Sequence, residues 1–301
     1  MRITLTGATG FLGSRLASAL AAHGQELTVL GRRRSPALPS GVRFTSWDST
    51  AGEPPLESLA AADVVIHLAG EPIARRWTAE IKRRIRSSRV DGTSSLVRAM
   101  AKLSPPPKTL LSASAIGYYG SRGDEVLTED SSPGQDFLAE LTQDWEAAAD
   151  AAAQYGIRVV KLRTGIVLAR EGGALAQMLL PFRLGLGGRL ASGEHWMSWI
   201  HLDDAIGLML FALNSERVRG PMNVTAPNPV RNEEFTRELA RALHRPAVFP
   251  LPAIGVRVMF GEMADFILAS QRVQPRVAEA AGYRFRFREL RGALEQIFSG
   301  P

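Results

Sequence analysis

Three glycines, Gly7, Gly10 and Gly13, punctuate the stretch Gly7-Ala8-Thr9-Gly10-Phe11-Leu12-Gly13. They lie between a β-type run at residues 3–6 and a helical stretch at residues 11–23. Such a turn lets a pyrophosphate approach the backbone, and the helix start offers free N–H groups and a positive dipole end. The third glycine lets helix and strand pack closely. The spacing alone is weak; in this strand–turn–helix setting it predicts a dinucleotide site. About 20 residues on, an acid would bond a ribose 2′-OH. That place instead reads Gly31-Arg32-Arg33-Arg34. Guanidinium groups suit a 2′-phosphate, so the expected cofactor is NADP(H), held by Arg32 and Arg33.

Other residues follow the predicted strands. Asp48, after the third strand, can bond an adenine amino group or cap its own turn. His67-Leu68-Ala69-Gly70-Glu71 closes the fourth strand beside the expected pyrophosphate and nicotinamide ribose, with His67 itself read as a packed residue. Arg75 and Arg76 follow and can neutralise phosphate charge or meet an anionic substrate. The cofactor set is thus Gly7, Thr9, Gly10, Phe11, Leu12, Gly13, Arg32, Arg33, Asp48, Leu68, Ala69, Gly70, Glu71, Arg75 and Arg76. Glu194, His195, Trp196 and His201 mix apolar walls with polar groups and are assigned to the substrate side.

The composition narrows the chemistry. The chain has 301 residues, no cysteine and a net charge of +6. Without cysteine there is no disulfide, zinc–thiolate site or thiol nucleophile. No His/Asp/Glu spacing demands a metal. Of 36 basic residues only Lys82, Lys102, Lys108 and Lys161 are lysines, leaving 32 arginines. The arginines are spread along the chain with no aromatic-interleaved tract, which argues against a nucleic-acid partner. No apolar run reaches the ~20 residues of a membrane span. A soluble, cytoplasmic protein is expected, monomer or homodimer, acting on a small molecule.

Stepping through the chain, β runs at residues 3–6, 26–30, 42–45, 63–68, 109–114 and 157–162 alternate with helices at 11–23, 78–103 and 136–155. This alternation predicts an α/β, Rossmann-like, doubly wound parallel sheet. Residues 1–170 form the NADP-binding domain, with 199–227 returning to it. Residues 171–198 read as a lid. Residues 228–301 read as a smaller, mostly helical unit on the substrate side, with helices at 232–244, 254–268 and 288–298.

The glycine turn, His67–Gly70, Ser112-Ala113-Ser114-Ala115-Ile116-Gly117-Tyr118-Tyr119-Gly120 and Trp199-Ile200-His201-Leu202-Asp203-Asp204 together resemble the extended short-chain dehydrogenase/reductase superfamily. Leu68–Ile73, Ser88–Thr93, Asp144–Ala148, Leu179–Gly188 and Phe249–Pro252 look like its atypical epimerase family protein group, which carries a short C-terminal domain of unassigned function. The resemblance covers nearly the whole chain. It implies NADP binding and an oxidoreductase- or epimerase-like activity on an undefined substrate.

The superfamily's usual proton engine is Tyr-x-x-x-Lys with a serine. Four residues after Tyr118, Tyr119, Tyr155 and Tyr283 stand Arg122, Gly123, Val159 and Phe287, so the pair is absent. The matching helix carries apolar residues at the tyrosine position and Thr142 or Gln143 at that of the lysine. The resemblance leaves a substitute set: Ser114 to polarise a substrate oxygen and Tyr118 or Tyr119 as acid/base. The other reading of the same gap is a non-catalytic NADP(H) sensor or scaffold.

Overall fold

The computed structural model describes residues 1–299. Seven strands form the central sheet: β1 (Arg2–Thr6), β2 (Glu26–Gly31), β3 (Arg43–Ser46), β4 (Val64–His67), β5 (Thr109–Ala115), β7 (Arg158–Thr164) and β11 (Gly220–Val224). Their order is β11-β7-β5-β4-β1-β2-β3, all parallel. The order reverses between β1 and β4. Ligands of such sheets bind in the crevice outside the strand ends at that reversal.

The inner strands carry apolar runs, such as Val64–Ile66 in β4, because both faces of the sheet are covered there, whereas β3 at the edge is partly exposed. Helices α1 (Phe11–Ala22) and α5 (Leu202–Asn214) pack on one face, over Leu5, Val29, Ile66 and Leu162. Helices α2 (Ala79–Ala101) and α3 (Phe137–Asp150) cover the other, over Leu30, Val65, Leu110 and Val159. Local signals set the helix starts. Thr78 Oγ1 accepts from Ile81 N, and Asp136 Oδ1 accepts from Leu138 N and Ala139 N, each an N-cap.

The remaining elements gather beyond the strand ends. They comprise α4 (Gly173–Arg183), α6 (Asn232–Ala242), α7 (Ala253–Phe260), α8 (Met263–Ile267), α9 (Arg276–Ala280) and α10 (Leu290–Ser299). Short ladders tie them together: β8 (Ile166–Leu168) with β10 (Trp199–His201), β9 (Trp196–Met197) with β12 (Val230–Arg231), and β6 (Val126–Leu127) with β13 (Arg272–Val273). A second core joins α4, α6 and α10 around Leu179, Phe182, Trp199, Phe235 and Leu294.

Two expectations are corrected. The run at Trp199 does not join the central sheet; it pairs with β8 and leads into α5. The single helix expected at 254–268 is broken at Gly261, whose φ of +61° ends α7. Among the described residues, no helix is long and apolar enough to cross a membrane.

Candidate functional site

The glycine turn is built as its spacing requires. Gly7 has φ +74°, and a Cβ there would lie 2.6 Å from the Leu68 carbonyl carbon. A Cβ on Gly13 would lie 2.1 Å from Gly7 O. Both positions exclude any side chain, so β1, α1 and the exit of β4 meet backbone to backbone. Gly10 is the N-cap of α1 and no side chain caps the helix. The first-turn N–H groups of Phe11, Leu12 and Gly13 are left for a ligand. A cleft of about 400 Å³ opens here, lined by residues including Thr9, Gly10, Phe11 and Ser14. The Phe11 ring sits where a Cβ on Gly172 would be, and Arg15 pairs with Glu171, so the entry to α4 is tied over the turn.

Arg32 and Arg33 follow β2 and are exposed, and among the described residues no carboxylate lies within ion-pair distance of them. Asp48 caps its own turn: Oδ1 accepts from Thr50 N and Thr50 Oγ1, which holds its carboxyl below the usual range. The loop Leu68–Glu71 rests on Thr6, with Ala69 N donating to Thr6 Oγ1 at 3.2 Å. Glu71 is anchored by its N–H to Ser88 Oγ, and its carboxylate pairs with Arg75 at 3.1 Å and Arg84 at 3.4 Å. Arg75 therefore stays at this loop. Arg76 is exposed and lies against Gly261 at the α7–α8 turn.

His67 is fully buried. One ring nitrogen, Nδ1, lies 2.7 Å from Thr6 Oγ1 and the other, Nε2, has no partner. Burial, with Arg89 nearby, pushes the ring down to about 4, so it is neutral.

Beyond β5 the structure corrects the expected catalytic set. Ser114 Oγ donates to Glu146 Oε1 at 2.6 Å. Arg163, opposite Ser114 in the β5–β7 register, grips the same carboxylate through Nε at 2.8 Å and Nη2 at 2.9 Å. Arg163 Nη1 also donates to Tyr119 Oη at 3.0 Å, and that hydroxyl donates to Asn223 Oδ1 at 2.7 Å. Tyr119 has no exposed surface, and burial raises it to about 12 despite Arg163. Both residues are thus joined into a buried hydrogen-bond network. Thr142, at the lysine position, turns its hydroxyl back to Leu138 O at 2.6 Å. Tyr118 differs: it is half-buried, its ring lies 3.5 Å from the Arg163 guanidinium, and among the described residues no group hydrogen-bonds its hydroxyl.

The substrate-side set divides as well. Residues 196–198, 270–273 and 116–125 converge beside Tyr118. Gln271 Nε2 donates to Ile116 O and Gly120 O, and Ser198 Oγ donates to Gln271 O. Trp196 donates to Asp124 Oδ1 and is flanked by Arg231 and Arg272. His195 is half-buried, lowered by desolvation, with Nε2 enclosed and unpartnered; Glu194 is exposed. His201 is corrected. It accepts from Asp203 N to cap α5, meets Gln296 across to α10 and stacks on Phe287 at 4.0 Å. It faces the C-terminal helix.

Sequence reasoning missed Glu146, Asn223, Glu129 and Arg89. Glu129 Oε1 accepts from Asn223 N and Val277 N, while burial raises its carboxyl. A signal existed for one pair: a Glu amid the apolar face of α3 and an Arg inside a buried strand must neutralise each other. Among the described residues no cluster of three metal-ligating side chains occurs.

Comparison with known proteins agrees with this architecture. Residues 3–225 match the NAD dependent epimerase/dehydratase family, and residues 251–297 match a domain of unknown function, DUF1731. The chain is 38% identical over 300 residues to epimerase family protein YfhF of Bacillus subtilis, covering 99% of this chain and 98% of that one. It is 41% identical over 307 residues to epimerase family protein SDR39U1 of Bos taurus, covering 99% and 100%. The crystal structure of human epimerase family protein SDR39U1 with NADPH superposes with a TM-score of 0.89, at 36% identity and full coverage of both chains. With the resemblance read from the sequence thus borne out, the chain belongs to the NAD dependent epimerase/dehydratase family.

Proposed function

We propose that the chain binds NADP(H) across the β1–β4 crevice and passes hydride between it and a small carbonyl, alcohol or sugar-like substrate. The observation that carries the cofactor is the side-chain-free turn at Gly7 and Gly13, opening onto an uncapped helix start with Arg32 and Arg33 at the end of the neighbouring strand. The relative crystallised with NADPH supports the same reading. Arg32 and Arg33 would hold the 2′-phosphate, the α1 amides the diphosphate, and Leu68–Glu71 the inner ribose.

When bound, NADP(H) supplies or accepts the hydride. The chain's part is positioning and one proton. Ser114 has a single O–H, committed to Glu146, so it cannot donate to a substrate oxygen. Tyr119 is sealed. Tyr118 keeps a free hydroxyl beside the 116–125 and 270–273 segments, and it gives or takes the proton. A panel of carbonyl compounds and sugar nucleotides, followed by the near-ultraviolet absorbance of the reduced nicotinamide, tests this. Turnover that Tyr118→Phe abolishes is expected.

A second reading, an NADP(H)-binding sensor or scaffold without turnover, is favoured by one observation. The hydroxyls of Ser114, Tyr119 and Thr142 are all spent on internal bonds. Tight NADPH binding with no absorbance change across the panel would select it over the enzyme.

A further inference from the structure

Four cationic side chains reach the interior around the central sheet, and three are fully accounted for. Arg163 holds Glu146. Lys161 lies 2.6 Å from Asp150 and 3.6 Å from Glu146. Arg158 donates to Ala212, Leu213, Ser215 and Val218 carbonyls at the end of α5 and to Thr109. Arg89, on α2, is the exception.

The Arg89 guanidinium packs beneath Gly70, its carbon 3.2 Å from where a Cβ would stand, and 5.1 Å from the Trp145 ring centre. Its Nη1 donates to Glu71 O at 3.0 Å and Ile85 O at 3.3 Å. Among the described residues, no acceptor engages Nε or Nη2 and no carboxylate lies within 4 Å. Glu71, whose backbone carbonyl Arg89 holds, has its carboxylate taken by Arg75 and Arg84. Burial pushes Arg89 down to about 10, which still leaves it charged at neutral pH. Arg89 is partly buried, and its unbonded N–H groups stay open to solvent, so a charged and half-bonded guanidinium is available there to a ligand.

Its position says which ligand part that is. Arg32 and the glycine turn fix the outer half of a dinucleotide at β2 and β1. The inner half must then run past the exit of β4, where Arg89 underlies Gly70. Neither Thr142 nor Gln143, the two residues at the place of the superfamily lysine, can supply a cation there.

We propose that Arg89 is the cation of the nicotinamide half of the site: it holds ribose oxygens with its free N–H groups, and its uncompensated charge makes the site prefer the neutral reduced ring of NADPH to the cationic ring of NADP+. This rests on the NADP(H) reading above. Arg89 acts by position and charge, not by proton transfer.

Calorimetric titration of the full chain with NADPH, NADP+ and adenosine 2′,5′-bisphosphate tests it, with thermal melting to confirm folding. The bisphosphate lacks the nicotinamide half. Wild type is expected to bind NADPH roughly tenfold tighter than NADP+, the effect of a like charge in a partly screened site. Arg89→Gln keeps a donor toward Glu71 O but loses the charge. It should bring the two cofactors within about twofold and leave the bisphosphate unchanged, while Arg89→Lys keeps most of the preference. An unchanged ratio in Arg89→Gln, or an equal loss on all three ligands, overturns the proposal by making Arg89 a loop clamp. So does a wild type that binds NADP+ as tightly as NADPH, whether or not the variants fold. A wild type that binds none of the three instead sinks the NADP(H) reading and this inference with it.

Discussion

Ser114 Oγ and Glu146 Oε1 stand 2.6 Å apart, and the carboxylate can only accept, so the serine proton points inward. The pair belongs to the scaffold beneath the site. Ser114→Ala should lower unfolding stability by about 1.5–3 kcal/mol, the range for a hydrogen bond to a charged group. Urea denaturation reads this directly. NADPH affinity should stay within about twofold, because no bond to the ligand is lost. A large affinity loss with unchanged stability would return Ser114 to the ligand.

The two adjacent tyrosines should separate cleanly. Tyr119→Phe removes a bond to Asn223 and one from Arg163 inside the core, so it should lower the melting temperature. Tyr118→Phe removes a hydroxyl that nothing in the protein engages, so stability should hold while any turnover is lost. The reverse pattern would show that the buried tyrosine opens to substrate.

The glycines of the turn predict different failures. Gly13→Ala drives a Cβ to 2.1 Å from Gly7 O, a backbone atom that cannot yield cheaply. It should cost about 1–3 kcal/mol of stability as well as the ligand. Gly10 has φ −82°, and its Cβ would meet only Gly7 O at 3.3 Å. Gly10→Val should therefore stay folded and lose NADPH binding. Retained affinity in a folded Gly10→Val would remove the turn from the account.

His67 makes stability depend on pH. Its folded value of about 4 lies below the ordinary 6.5, so the unfolded chain binds the extra proton more readily. Its contribution is complete above pH 6.5 and is lost as pH falls toward 4. The slope approaches 1.4 kcal/mol per pH unit, at most about one proton. His67→Asn should flatten that stretch of the stability curve. An unaltered slope would assign the acid sensitivity to other groups.

The frame of the fold was legible because short β-type runs alternate with helical stretches between turn residues, and because glycine spacing reports a backbone approach that only glycine allows. The place of Arg32 and Arg33, just past β2, was legible by their distance from that turn. The network was not. Ser114 and Tyr119 sit at the right sequence positions for catalysis, yet their hydroxyls are taken by Glu146 and Asn223, which lie 32 and 104 residues away. Such pairing is set by strand register and by the crossing of α3 over β5. His201 misled similarly: polar beside a Trp- and Met-rich stretch, it serves a helix cap whose partner, Gln296, lies 95 residues on.

The NADP(H) site at the β1–β4 crevice is the central claim, and a comparison of dissociation constants for NADPH and NADH, in wild type and in a chain carrying Arg32→Ala with Arg33→Ala, tests it most directly. Wild type is expected to bind NADPH at least tenfold tighter, with two guanidiniums on the extra phosphate. The double variant should lose that preference while its NADH affinity changes little. Equal affinities in wild type, or equal losses for both cofactors in the variant, would contradict it.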